Sequence, residues 1–230
     1  MNVALYTENQ RKYLDLFCQK CKEEGIVNNS SYESIKLKEL KGKEGAFWVC
    51  YDNEVIVSGA GSQLIPVQTE YAIRVLYRAA SLQSYRAYFP GLSRYHFTSI
   101  PFSMILPHCI EWRNFNHPDL EIVITTNINF KKHKTFNTNQ LFHSLEKCGL
   151  VSHIGEILLY NVRQKLWRLN EKLYLERLQK FYKRNNISPV LLNKINLYNK
   201  VKAKNRSNGE WLELSRKKGF VLNTDKNKSK

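Results

Sequence analysis

Two β-rich runs, Ala46–Tyr51 (AFWVCY) and Val55–Gly59 (VIVSG), flank Asp52-Asn53-Glu54. β-Branched and aromatic side chains favour extended backbone, and the Asp-Asn pair supplies a turn, so this stretch predicts an antiparallel hairpin. The elements around it come in a definite order. Upstream, residues 5–24 carry apolar residues at helical spacing and end at Gly25, which predicts an amphipathic helix. Residues 32–40 read equally as a short helix or an edge segment.

Downstream of Pro66, Tyr71–Arg78 (YAIRVLYR) predicts a third strand, with Arg74, Leu76 and Arg78 on one face and Tyr71, Ile73, Val75 and Tyr77 on the other. A long loop, 81–96, holds Arg86, Gly91 and Arg94. The next stretch, 97–112, predicts a helix that tolerates Pro101 near its first turn and kinks at Pro107. Leu120–Thr126 (LEIVITT) predicts a buried central strand, followed by a polar, basic loop over 127–134. Asn139–Cys148 predicts a helix closed by Gly149. Glu156–Tyr160 and Lys165–Leu169 predict a second hairpin around Asn161-Val162-Arg163-Gln164.

Charge sets this succession apart from the C-terminal third of the chain. Residues 1–161 carry 17 Lys and Arg against 15 Asp and Glu, whereas 162–230 carry 19 against 5, a net of +14. Self-repulsion on that scale opposes compactness, so an anionic partner such as nucleic acid or another polyanion is expected along 162–230. The basic part predicts helices over Glu171–Arg184, from Ser188-Pro189 onward, and over about 208–218 up to Gly219; the ten residues after Phe220 are expected to fray. Aromatics alternate with cations here: Trp167, Tyr174, Phe181, Tyr182 and Tyr198. They suit stacking on bases if exposed, but their stripe spacing favours packing inward. The expected domain division is 1–170, including the N-terminal helix, and 171–230.

Composition closes off other classes. A hydrophobic fraction of 43% supports a real core, and no apolar run reaches membrane-spanning length. The N-terminus lacks a charged start followed by an apolar run, so a soluble, cytoplasmic protein is expected. Five scattered cysteines argue against a disulfide framework, and the single C-x-x-C, Cys18 and Cys21, sits on a helical apolar face with no second pair to complete a zinc site. No metal is expected. No G-x-S-x-G, Walker loop or H-E-x-x-H supports a hydrolase or kinase.

The order of helix, three strands, long loop, helix, strand, helix and hairpin resembles the GNAT superfamily of acyl-CoA-dependent N-acyltransferases. The segments that carry the likeness are FWVCYDNEVIVSG, YAIRVLYRA, FTSIPFSMILPHCIEW, and EIVITTN followed by NQLFHSLEKCGL, together spanning about 30–170. The LP-x-x-IEW and ITTN segments are similar to phage-encoded members. The resemblance implies an α/β fold: a mixed, mostly antiparallel central sheet with flanking helices, here followed by the basic helical extension. In that fold the two central strands splay to seat pantetheine. It also implies acetyl-CoA or another acyl-CoA as cofactor and an amine as acceptor; a substrate on or near nucleic acid would explain the basic tail. The competing expectation is a non-catalytic nucleic-acid-binding or phage structural protein that keeps the fold; an aminoacyl transferase of the same fold, using tRNA- or peptide-linked substrates, is a third.

Two departures from the family pattern shape the candidate residues. The pyrophosphate signature Q/R-x-x-G-x-G/A should fall in 81–96, but Gly91 is its one glycine and Ser93 stands where a second would fall. Arg86 and Arg94 supply side-chain charge instead, and Asn139 opens the late helix. The second departure is Leu145, four residues before Gly149, where many members place a general-acid tyrosine; Tyr160 is the substitute. Glu70, at the mouth of a strand, is the candidate base, provided burial raises its pKa. Arg74 and Arg78 suit a phosphate or carboxylate, unless they pair with Glu70 and Glu54. Asn127 sits at a strand end where sheet enzymes bind ligands. His96 and His108 flank the cofactor helix and read more simply as structural residues, and Cys109 and Cys148 fit core positions.

Overall fold

The computed structural model describes residues 1–26, 44–67, 70–85, 97, 99–128, 138–159, 161–186 and 221–223. The strands are β1 (Asn2–Leu5), β2 (Gly45–Asp52), β3 (Val55–Val67), β4 (Glu70–Ser81), β5 (Glu121–Asn127), β6 (Val151–Leu159), β7 (Val162–Leu169) and β8 (Val221–Asn223). The helices are α1 (Arg11–Glu23), α2 (Leu106–Asn116), α3 (Thr138–Lys147) and α4 (Glu171–Arg184). The hydrogen-bonded strand order is β1-β2-β3-β4-β5-β7-β6-β8. β4 and β5 run parallel and the other described registers are antiparallel, giving the mixed, mostly antiparallel sheet expected. Contacts divide the chain into two compact units. The first draws on Met1–Gln63, Val75–Pro118 and Arg177–Lys202, the second on Leu64–Arg74, Asp119–Glu176 and Ala203–Lys230. Among the described residues no helix is long and apolar enough to cross a membrane.

In the first unit the predicted hairpin forms with Asp52 opposite Val55, so Asn53-Glu54 is the turn; Asn53 takes a φ of 54°, which asparagine tolerates. β3 does not stop at Gly59 but runs to Val67. Gly59 and Gly61 lie against the Phe47 ring of β2, close enough that side chains at either would collide with it. The expected helix from residue 5 starts later, because residues 2–5 pair with β2 as β1. Thr7 interrupts, its N–H held by the Gln10 side chain at 2.8 Å, and α1 begins at Arg11. It ends at Gly25 as predicted, with Ile26 N–H on the Cys21 carbonyl and Gly25 N–H on that of Lys22.

The helix expected over 97–112 is displaced and mixed: a π turn over Pro101–Ile105 leads into α2, which runs on to Asn116. Pro107 explains the irregularity, since it has no N–H to continue the ordinary ladder to Ser103. Strand β4 also departs from simple alternation. Leu76 and Arg78 have φ values of 54° and 52°, so the expected shared face of Arg74, Leu76 and Arg78 does not persist beyond Val75.

In the second unit, Ile65, Ala72, Val123, Ile157, Leu159 and Leu166 form a buried apolar cluster. α3 packs on β6 and sets Phe142 against Trp167, ring centroids 5.4 Å apart. Gly149, at φ 76°, closes α3 with Leu150 N–H on the Leu145 carbonyl. Asn170 caps α4 through Leu173 N–H. Val221–Asn223, part of the segment expected to fray, instead pairs antiparallel with Leu158–Glu156 of β6. Along α4, Tyr174, Leu175, Leu178, Phe181 and Tyr182 are buried while Lys172, Lys180, Lys183 and Arg184 are exposed. These aromatics, and Trp167, therefore pack inward. Tyr198 and the two later predicted helices lie outside the described residues.

Candidate functional site

The second unit brings four polar side chains, Arg74, Thr125, Asn127 and Gln164, onto the face of its sheet that carries the apolar cluster. Arg74 stands opposite Val123 on β5, and Asn127 of β5 stands opposite Gln164 of β7. Residues in register share a face, and every second residue returns to it, so Val123, Thr125 and Asn127 lie on the same side as Arg74, Gln164 and Leu166. The Arg74 side chain crosses β5, and its Nη2 donates to Gln164 Oε1 at 3.1 Å. Both residues are buried. This contact fixes the guanidinium in place. Thr125 Oγ1, between them along β5, is buried and has no hydrogen-bond partner among the described residues. A guanidinium, an amide and a hydroxyl on one strip, at the carboxyl half of a parallel strand, suit a ligand bearing a carboxylate, phosphate or carbonyl oxygen.

The opposite face of the same strands is structural. Trp167 Nε1 donates to Thr126 Oγ1 at 2.9 Å, and His143 and His153 stand 5.5 and 5.0 Å from the Trp167 ring. Glu146 joins α3 to β6 by accepting the His153 N–H at 3.0 Å. That hydrogen bond, helped by the His143 side chain, holds the Glu146 carboxyl below the ordinary range. Leu145, where the sequence resemblance implies a tyrosine, is a core residue.

The other sequence candidates are distributed differently. Arg78 belongs to the first unit, where its Nε donates to the Tyr77 hydroxyl at 2.7 Å and its guanidinium lies 5.1 Å from that ring's centre. Glu70 is exposed at the first position of β4, without the burial asked of a base. Asn139 lies in the first turn of α3. Arg86, Gly91, Ser93, Arg94, Tyr160 and His96 lie outside the described residues. Burial pushes the Cys109 thiol up to about 12, against the opposing Ser62 hydroxyl and Leu76 N–H, so it stays protonated in the core. Sequence reading missed Gln164, which it placed in a turn. The signal was the alternation of Gln164, Leu166 and Arg168 along β7.

Fold and strip together define an α/β protein with a mixed sheet and a polar site beside a parallel strand pair. No family model matches the chain, and no curated protein matches it. Solved structures similar to it include an uncharacterised protein of Bacillus halodurans (15% identity, 81% of this chain and 91% of that one, TM-score 0.47). Another is an acetyltransferase of the GNAT family from Streptococcus pneumoniae (13%, 73% and 96%, 0.43). A third is a spermidine N-acetyltransferase chimera of Vibrio cholerae and human sequences (10%, 76% and 99%, 0.43).

Proposed function

We propose that the chain is an acyl-CoA-dependent N-acyltransferase that moves an acetyl or other acyl group to an amine. The observation that carries this reading is the β4–β5 register: three parallel pairs, Ala72–Arg74 with Glu121–Val123, within a sheet whose other described registers are antiparallel. β5 then continues to Asn127 in register with β7. That is the strand pattern the sequence resemblance implies.

Acyl-CoA would supply an activated thioester. Arg86, Gly91, Ser93, Arg94 and Asn139 would hold its pyrophosphate end, with arginine charge replacing part of what backbone N–H groups donate in a glycine-rich loop. The Arg74–Gln164 pair with Asn127 would orient an acceptor through an oxygen-bearing group. The amine proton would pass to solvent beside the exposed Glu70, and Tyr160 would return a proton to the leaving sulfur. The net +14 of residues 162–230 supports a polyanionic partner near the acceptor, with the exposed lysines of α4 as part of its contact.

The test is calorimetric titration of acetyl-CoA into the full chain, beside Arg86→Ala and Arg94→Ala. One saturable site, weakened by either substitution, is expected. No binding at millimolar cofactor would overturn the reading in favour of a nucleic-acid-binding protein. For the partner, nucleic-acid affinity should fall steeply with salt and weaken strongly on truncation after Asn186, which keeps α4 with its exposed lysines and buried aromatics.

A further inference from the structure

Within the first unit, β1 ends the sheet: one of its edges meets β2, and the other meets no strand among the described residues. The ladder decides which groups face that open edge. Tyr6 N–H donates to the Phe47 carbonyl at 2.7 Å, and an antiparallel strand turns alternate residues toward its neighbour. Asn2, Ala4 and Tyr6 therefore direct their backbone groups to β2, while Val3 and Leu5 direct theirs outward. The strand, NVAL, carries none of the charges, prolines or bulges that usually guard an edge. Apolar side chains gather on both sides of it. Val3 and Leu5 share a face with Cys50 and Trp48, and Trp48 meets Trp112 of α2 with ring centroids 6.4 Å apart. One turn on from Trp112 lies Phe115, 72% exposed, and Leu5 itself is 53% exposed. On the other face, Tyr13 of α1 stands close enough to Tyr51, the residue in register with Asn2, to add to the rise that burial gives the Tyr51 hydroxyl. Leu16, also exposed, follows Tyr13 by one turn. Four of the five exposed large apolar residues described thus belong to β1, α1 and α2, the fifth being Val55 on β3.

We propose that the open edge of β1 pairs antiparallel with β1 of a second copy, making the chain a two-fold dimer. Self-complementarity identifies the occupant. With Ala4 opposite its own counterpart, Val3 of each copy faces Leu5 of the other, and every outward N–H meets an outward carbonyl. Alanine at the axis leaves room where the two strands come closest, and the Leu5 side chains are covered by the other copy. Charge agrees with a like-on-like contact. Residues 1–16 carry Arg11 and Lys12 against Glu8 and Asp15, and α2 carries Arg113 against Glu111, so this surface is neutral on a chain of net +16. A charged patch would repel its own copy, whereas an acidic or basic peptide finds no complementary charge here. The inference stands apart from acyl transfer, since dimerisation and acetyl-CoA binding succeed or fail separately.

The experiment is analytical ultracentrifugation of the full chain over a micromolar concentration series, at salt high enough to screen the basic segment. The mass should rise from 27.1 kDa toward twice that value. Leu5→Lys puts a charge at an already exposed position and should raise the dissociation constant about tenfold or more. Leu5→Pro removes an outward N–H without touching the ladder to β2, and should weaken the dimer as well. Val55→Lys, the same kind of change beyond β2, should leave the dimer unchanged. Thermal melts at a dilution where every protein is monomeric should agree, showing that the variants fold. Hydrogen exchange should find the Val3 and Leu5 amides slowed in the dimer and fast in Leu5→Lys. A chain that stays monomeric throughout the series overturns the proposal. So does a dimer that keeps its affinity in both Leu5 variants, or one whose Val3 and Leu5 amides exchange freely.

Discussion

The Tyr182 hydroxyl donates to the Ser103 carbonyl at 2.6 Å, filling the place of an N–H that Pro107 does not have. In a regular helix the residue four positions on would satisfy Ser103; here that residue is Pro107, and Leu106 N–H reaches back five residues to Pro101 instead. A side chain on α4 thus repairs a defect written into the segment before α2. Burial raises the Tyr182 hydroxyl above its ordinary pKa, which keeps it the donor.

Tyr182→Phe is therefore expected to cost about 1–3 kcal/mol, the penalty for leaving a buried acceptor unpaired. In a Pro107→Ala background the same substitution should cost measurably less, because an alanine at that position brings an N–H within reach of Ser103. Urea unfolding of the four proteins in the cycle checks this; strictly additive effects would remove the link between the two residues.

Phe47 packs on two glycines of the neighbouring strand, and the two differ in an informative way. A side chain at Gly59 would meet only the Phe47 ring closely, at 2.9 Å, whereas one at Gly61 would also stand 2.8 Å from the Ala46 carbonyl oxygen. Either Gly→Ala change alone should cost about 1–3 kcal/mol by overpacking. In a Phe47→Leu background, Gly59→Ala should lose most of that cost while Gly61→Ala keeps it, because backbone does not yield as a ring does. Thermal melts of the six proteins, these five variants and the unsubstituted chain, decide it.

These relationships mark where the sequence is legible and where it is not. The Asp52–Val55 turn, the glycine stops at Gly25 and Gly149, and the inward stripe of α4 rest on local chemistry, and each formed as the residues predict. β3 reads too short because Gly59 and Gly61 look like strand breakers until Phe47, a cross-strand neighbour, is seen to need their missing side chains. β1 goes unread, and its last residue, Leu5, is taken for the start of the helix, because four residues carry no decisive period and only pairing with β2 makes them a strand. Gln164 escapes notice for the same reason: its role depends on an arginine ninety residues away in sequence.

Cys109 gives a pH prediction. Its folded pKa, about 12, lies above the ordinary thiol value of 9.0, because burial disfavours the thiolate. A group raised in the folded state adds stability that is complete below its unfolded pKa and is lost as pH climbs toward the folded one. The contribution is therefore present below pH 9 and disappears between about 9 and 12, at up to about 1.4 kcal/mol per pH unit. Cys109→Ala should lower stability at neutral pH yet flatten its decline over that window, read by urea midpoints at successive pH values. Equal slopes for the two proteins would contradict the assignment.

The Arg74–Gln164 contact is the most exacting test of the candidate site, because the two side chains meet across an intervening strand. Gln164→Leu keeps the volume and removes the acceptor, so it should cost about 1.5–3 kcal/mol, the range for a buried hydrogen bond to a charged group. Gln164→Glu retains an acceptor and adds a charge opposite the guanidinium, so it should lose less than Gln164→Leu. Arg74→Met removes the charge and leaves the amide without its donor. The double variant, with neither polar group, should then cost less than the sum of the two single changes by about 0.5–3 kcal/mol, since an apolar pair no longer strands a polar partner. Stability measured by denaturant gives the cycle, and acetyl-CoA titration of the same proteins separates the roles: unchanged cofactor affinity places Arg74 and Gln164 on the acceptor side, while a parallel loss places them under the cofactor.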